Sequence, residues 1–286
     1  MKIRSFSIIG GDRRQLYAAR AIQNEGYKIY LSGFEKLDEK WGFEQLPIDK
    51  ASQNSDCIVL PMPLTKDGKN INAPFASGDI PLDRSLARCF AGKRVFCTMS
   101  ERLRILSPVW ESLYLCDYMS REELAVQNAV PSAEGAIEVA MHEFPGTIHG
   151  SKCLVSGFGR IGKVLSKMLL GLGAQVYAAA RKKRDLSLIT ALGYNAVDIN
   201  ALCNYSGFDI VFNTIPAMIF TAHTLAKTCS NALVIDLASI PGGVDFDSAK
   251  RLGIKTIHAL SLPGRVAPKA SGEIIKNTIF NMLEED

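Results

Sequence analysis

Apolar and polar positions along this chain follow two registers, and the switch between them repeats. Short apolar runs bounded by glycine, proline or charged residues predict strands at Ser5–Ile9, Tyr27–Leu31, Asp56–Leu60 and Arg94–Cys97, with a shorter one around Tyr114–Cys116. A helical pattern from about Asp12 to Glu25 lies between the first two. Another runs from Pro131 to about Phe144 and stops at Pro145-Gly146. The alternation then restarts, with strands expected at Cys153–Ser156, Val176–Ala180, Asp209–Thr214, Leu233–Leu237 and Thr256–His258. Beyond Gly157, the residues Ile161, Val164, Leu165, Met168, Leu169 and Leu172 recur at helical spacing, forming one buried face that Gly173 ends. A last helical pattern spans Ser271–Leu283.

Strands followed regularly by helices mark parallel βα units. The expected fold is α/β: two Rossmann-like parallel-sheet domains with a cleft between them. A length of 286 residues suits two such cores. Residues 1–130 make an N-terminal, substrate-side α/β domain, residues 131–270 a second Rossmann domain, and the C-terminal helix (271–286) folds back onto the first. The segment Pro61–Pro81 holds four prolines with Gly68 and Gly78, so it reads as a long irregular loop of the functional or mobile kind.

Composition mainly excludes. The net charge of +4 is mild, and no basic stripe is interleaved with aromatics, so nucleic acid is not an expected partner. No apolar run is long enough for a bilayer, and Phe6–Ile9 breaks at once on Gly10-Gly11-Asp12-Arg13. Neither a membrane nor a signal peptide is therefore expected, and the cytoplasm is the expected compartment. Seven scattered cysteines without a CxxC argue against disulfides and zinc; Cys57, Cys97, Cys153 and Cys229 read as buried thiols. His142, His149 and His223 have no partner at ligand spacing, so no metal is expected, and His258 reads as a core residue.

The strongest motif is Gly157-Phe158-Gly159-Arg160-Ile161-Gly162, placed after a strand and opening a helix. Gly157 permits the tight turn, Gly159 lets the backbone approach a pyrophosphate, and Gly162 lets helix and strand pack closely. The phosphates then meet the positive end of a helix. At the end of the next strand, where an NAD enzyme carries an acid for the ribose, stands Arg181-Lys182-Lys183-Arg184. That cluster suits a 2′-phosphate, so NADP is the expected cofactor, with Arg181 in contact and Lys182 or Arg184 supporting it. Strand ends on this edge also line the crevice. Thr214, Ile215 and Pro216 are therefore assigned to the dinucleotide, and Ala238 and Ser239 to the nicotinamide side.

The layout resembles the D-2-hydroxyacid and formate dehydrogenase superfamily, and Asn128-Ala-Val-Pro-Ser-Ala-Glu134 is similar to the helix preceding its glycine motif. The superfamily's catalytic arginine is replaced at Leu237-Ala238-Ser239, and no histidine falls in Leu262–Lys269. Hydroxyacid chemistry is not expected. A more specific resemblance, over essentially the full chain, is to the family of dipicolinate synthase A subunits. It rests on Ile9–Gln15 (IGGDRRQ), Asn128–Ile137 (NAVPSAEGAI) and Ala259–Lys269 (ALSLPGRVAPK).

That resemblance implies a sporulation enzyme of the mother-cell cytoplasm. It implies oxidation of dihydrodipicolinate, or its hydrated precursor, to pyridine-2,6-dicarboxylate, and as partner a flavoprotein-like B subunit. Assembly of the chain as a homo-oligomer is expected as well. A small dicarboxylate calls for cations and helix N-termini. Gly11, Asp12 and Arg13 offer both, and Arg265 and Lys269 add charge. Arg13 and Lys269 are candidate carboxylate anchors, the alternative being ion-paired or solvated roles. Asn128 and Ser132 would shape the pocket, Ser132 as an N-cap. Glu134 is a candidate proton acceptor and Lys269 a second catalytic candidate, although the helix dipole accounts equally for an acid at position 134. Two other readings stay open: another NADP-linked dehydrogenase of a small carboxylate, and an NADP-binding subunit without redox chemistry.

Overall fold

The computed structural model describes residues 3–285. Met1, Lys2 and Asp286, which fall within the expected domain limits, lie outside the described residues. The chain divides into two units, Met1–Gln127 with Ala267–Asp286, and Asn128–Val266.

The first unit is built on a six-stranded parallel sheet: β1 (Ser5–Ile9), β2 (Lys28–Ser32), β3 (Glu44–Gln45), β4 (Cys57–Val59), β5 (Arg94–Cys97) and β6 (Tyr114–Asp117). Their order is β3-β2-β1-β4-β5-β6, so Ser7 of β1 lies between Tyr30 and Ile58. β1 is buried along its whole length, as a central parallel strand covered on both faces must be. Flanking it are α1 (Arg13–Asn24), α2 (Ile48–Asn54), α3 (Arg84–Cys89), α4 (Ser100–Arg104), α5 (Pro108–Glu111) and α6 (Glu122–Gln127). α1 starts where the Asp12 carboxylate accepts the Arg14 N–H. Asp83 caps α3 in the same way, and Ser107 caps α5 ahead of Pro108. Phe6, Ile8, Leu16 and Ile22 fill one face of the sheet; Ile58, Val95, Phe90 and Trp110 fill the other.

The second unit repeats the plan with β7 (Lys152–Ser156), β8 (Gln175–Ala180), β9 (Asn195–Asp198), β10 (Ile210–Asn213), β11 (Leu233–Asp236) and β12 (Thr256–His258). Neighbours run β9-β8-β7-β10-β11-β12, the doubly wound Rossmann order that the first sheet also has. Its helices are α7 (Ala129–Glu143), α8 (Arg160–Gly171), α9 (Lys183–Ala191), α10 (Ala222–Thr228), α11 (Phe246–Arg251) and α12 (Leu262–Val266). Gly173 follows α8 with φ +82°, the left-handed stop expected there. The α/β class and the two Rossmann-like sheets are those the sequence predicts.

One expected boundary is corrected. α7 begins at Ala129, ahead of Pro131, because a proline in the first turn forfeits no hydrogen bond. Ser132 therefore lies inside the helix and is not its N-cap; its Oγ donates to the Asn128 carbonyl at 2.7 Å. α13 (Pro268–Glu284) also begins earlier than expected, at a proline. It packs in the first unit, where a Cβ on Gly272 would come within 2.6 Å of the Arg14 carbonyl and 2.7 Å of the Ala18 nitrogen. Ile275 and Ile279 of α13 complete the core beneath α1. Fully burying such a side chain contributes about 1.5–3 kcal/mol.

Cys57, Cys97, Cys153 and Cys229 are buried free thiols, as expected. Burial pushes Cys57 and Cys229 up to about 12 and Cys153 to about 11, so they stay neutral parts of the core. Among the described residues no helix is long and apolar enough to cross a membrane, and no cluster of metal-ligating side chains occurs.

Candidate functional site

In the second unit the glycine turn joins β7 to α8. Gly157 has φ +99°, and its N–H donates to the Ala179 carbonyl at 3.0 Å. A Cβ on Gly157 would run into Thr214 Oγ1 and come within 2.9 Å of Ile215. A Cβ on Gly162 would lie far inside contact distance of the Gly157 carbonyl oxygen. A Cβ on Gly159 would meet nothing within 4 Å. The turn is thus closed where it packs and open where a pyrophosphate has to approach. Gly159 precedes α8 without a side-chain cap, so first-turn N–H groups remain for an anion. These features fit a dinucleotide.

The residues around that turn divide by role. Phe158 is buried against Ala178, Ala180 and Ile189, with an edge contact to Tyr194, so its side chain belongs to the core. Arg160 is exposed and Ile161 half-buried at the start of α8. Arg181, Lys182, Lys183 and Arg184 are all exposed beyond β8. Lys183 lies 3.6 Å from Asp198, and Arg184 lies 3.3 Å from its neighbour Asp185. Arg181 and Lys182 have no ion-pair partner among the described residues.

At the ends of β10 and β11 the structure shows a network that pattern reading does not find. Thr214 donates both its N–H and its Oγ1 to the Ser156 carbonyl, each at 2.9 Å, binding β10 to β7. Asp236 is fully buried and accepts from Asn213 Nδ2 at 2.8 Å, the Ala238 N–H at 3.0 Å and the Gly243 N–H at 2.8 Å. Asn213 also bonds the Ile215 backbone in both directions. The Ala238 carbonyl lies 2.9 Å from His258 Nε2, so the polar groups of Ala238 serve the scaffold. Ser239 and Pro216 are exposed and Ile215 half-exposed beside this network. His258 is half-buried and lies against Phe246, which corrects its reading as a core residue. The one sequence signal was a polar residue ending each of two apolar strands, Asn213 and Asp236, which sit opposite each other in register.

In the first unit, Gly10 (φ +65°) and Gly11 (φ +104°) follow β1. The Gly11 N–H donates to the Asn72 carbonyl at 2.8 Å, and a Cβ on Gly10 would lie 2.8 Å from Ile71. The Pro61–Pro81 segment therefore lies over the carboxyl end of β1. Glu35, beyond β2, accepts from the Gly33 N–H at 3.1 Å and from the Ser77 N–H of the same segment at 2.9 Å. Arg13 is ion-paired with Glu39 at 2.7 Å, the alternative to carboxylate anchoring that the sequence left open. The buried cation is Arg14, whose guanidinium grips both Asp12 oxygens and donates to the Met62 carbonyl.

Arg265 lies in the last turn of α12 and Lys269 is the second residue of α13. Both are exposed, and neither has an ion-pair partner among the described residues. Asn128, half-buried, precedes α7. Glu134 is exposed and borders an apolar groove with Met141, Met168 and Leu172, at the far end of α8 from the glycine turn. A proton acceptor at Glu134 has no support from that placement.

A Rossmann sheet with an open glycine turn defines the second unit as a nicotinamide-dinucleotide-binding dehydrogenase domain, and residues 120–239 match the D-isomer specific 2-hydroxyacid dehydrogenase, NAD binding domain family. Residues 5–106 match the N-terminal domain of the dipicolinate synthase A subunit. The dipicolinate synthase A subunit of Bacillus subtilis (strain 168) is 33% identical, over 98% of this chain and 95% of the relative. The chain belongs to the family of dipicolinate synthase A subunits. The crystal structure of the Bacillus halodurans member superposes with a TM-score of 0.88 at 33% identity, covering 99% of this chain and 98% of the other. The structure from Bacillus subtilis gives 0.86 at 33% identity, over 100% and 97%.

Proposed function

We propose that this chain is the NADP-dependent A subunit of a dipicolinate-forming dehydrogenase, working with a B subunit. The substrate is dihydrodipicolinate or its hydrated precursor. One observation carries the cofactor choice: past the open glycine turn, the end of β8 presents unpaired Arg181 and Lys182 in place of an acid. The substrate class comes from relatives named as A subunits of dipicolinate synthase.

When bound, the nicotinamide ring supplies the hydride acceptor. The chain's part is to hold and position. Gly159 and the first-turn N–H groups of α8 meet the phosphates, Arg181 and Lys182 meet the 2′-phosphate, and Ile215, Pro216 and Ser239 border the ring side. Thr214 and the Asn213–Asp236 pair keep those backbone turns fixed. Lys269 and Arg265 supply charge for the substrate carboxylates. Lys269 stands in the first turn of α13, where the helix dipole disfavours a cation unless an anion joins it. Loss of a hydride and a proton from the dihydro ring, after loss of water where the hydrated precursor is the substrate, makes the ring aromatic, so positioning would matter more than a strong acid–base pair.

The test uses the purified chain with NADP⁺ and freshly generated dihydrodipicolinate, with the B subunit present or omitted. NADPH and pyridine-2,6-dicarboxylate should appear in equal amounts in at least one mixture. NADP binding without product in both would favour a non-catalytic, NADP-binding role instead. Turnover only with another small carboxylate would move the chain to a different NADP-linked dehydrogenase.

A further inference from the structure

Two neighbouring helices of the second unit, α7 and α8, turn a mixed apolar and charged face away from their sheet. On α7, Val130, Glu134, Glu138 and Met141 recur at helical spacing and are all exposed, Val130 by 41% and Met141 by 57%. Ala133, Ala136 and Ala140 point the other way, into the core. On α8, Leu165 and Leu169 are buried, whereas Lys163, Lys167 and Gly171 form an exposed stripe. An apolar groove runs between the helices, bordered by Met141, Met168 and Leu172, with Glu134 and Glu138 along its α7 side. Gly171 borders it too. A glycine weakens a helix, and a Cβ there would meet nothing within 4 Å, so no packing within the chain accounts for it.

The charges on this face are divided between the helices. α7 carries the acids Glu134 and Glu138, and α8 carries the bases Lys163 and Lys167, each pair one turn apart. None of the four has an ion-pair partner among the described residues, although Lys163 lies over the Phe158 ring at 5.8 Å. α8 leaves the carboxyl end of β7 and α7 leads to its amino end, so the two helices run in the same direction. Their last turns meet at Met141 and Leu172. A half-turn about an axis along the groove therefore lays α7 of one copy over α8 of another at matching levels. Acids then face bases on both sides of the axis, and Met141, Met168 and Leu172 of both copies close one apolar seam. A face of one sign would repel its own copy, but a face divided in this way is complementary to itself.

We propose that α7 and α8 join two copies of this chain in an isologous dimer. The proposal is independent of the reaction assigned above.

The experiment is sedimentation of the full chain over a range of concentrations, with circular dichroism and Tm as controls of the fold. The wild type should dimerise. Glu138→Lys and Lys167→Glu each set like charges opposite one another, twice by symmetry, and should each raise the dimer dissociation constant about tenfold or more. The double variant Glu138→Lys/Lys167→Glu exchanges the signs and should recover most of the wild-type affinity. Met141→Asp puts a carboxylate into the seam and should leave a monomer of unchanged Tm. If Glu138→Lys lowers Tm, Lys167→Glu and Met141→Asp decide. A wild type that stays monomeric overturns the proposal, as does a dimer that the three single variants leave intact. Weakening in the single charge variants without recovery in the double variant overturns the two-fold pairing of α7 with α8.

Discussion

The two sheets share one strand order and each opens with a glycine turn after its first strand, yet only one turn is open. At the first, the chain's own Asn72 carbonyl takes the Gly11 N–H. Glu35 stands beyond the second strand, where an NAD-binding unit keeps its ribose acid, and is taken by the Ser77 N–H. At the second, the space off Gly159 is empty, and the matching strand end carries free cations instead of an acid. Topology alone therefore does not make a dinucleotide site. The segment that leaves each strand decides whether the groups on that edge are satisfied from within or left for a ligand.

The sharpest way to break this contrast is Gly162→Val. The new side chain meets the Gly157 carbonyl, so α8 must shift, costing about 1–3 kcal/mol and abolishing measurable NADPH binding. A stable Gly162→Val that binds NADPH normally would disprove the closed turn. A matched pair of variants comes next. Gly159→Val fills open space and should leave Tm unchanged while weakening NADPH about tenfold or more. Gly10→Val meets Ile71 at a left-handed position and should lower stability by about 1–3 kcal/mol while NADPH affinity holds. If the two behave alike in both assays, the sheets do not differ as described.

Arg181→Asp sharpens the second half. Loss of a phosphate partner and added repulsion should cost NADPH about tenfold more than NADH in parallel titrations. Equal losses would remove the 2′-phosphate from that strand end. The smallest effect concerns Glu35. Burial pushes its carboxyl up, but the Ser77 and Gly33 N–H groups outweigh this and hold it below the usual range. With the folded value depressed, its contribution is present above the unfolded value of about 4.3 and is lost as pH falls through the folded one. Protection of the Ser77 amide from exchange, corrected for intrinsic rate, should fall on acidification, and Glu35→Gln should remove the dependence.

Long, buried and periodic elements were legible in the sequence, and short capped ones were not. β7, β8 and α8 follow from apolar spacing and two glycines, whereas α3 and α5 have 6 and 4 residues and rest on Asp83 and Ser107 caps. β9 buries only Val197 and shows no apolar run. At the site, the glycine turn and the basic strand end could be read because their chemistry is contiguous in sequence. The choice of Arg14 over Arg13 could not, since it depends on which side of α1 faces Met62. Asn72 owes its position to a fold-back that no local pattern encodes.

The seat of α13 on α1 also bears on how the molecule is made. The first unit's core needs Ile275 and Ile279, which leave the ribosome after every residue of the second unit. The second unit lies wholly within Asn128–Val266 and can close as soon as it emerges. During synthesis, the unit that begins first is therefore the last to be complete. Until then the surface of α1 around Ala18 waits, uncovered, for a helix that has not yet been translated.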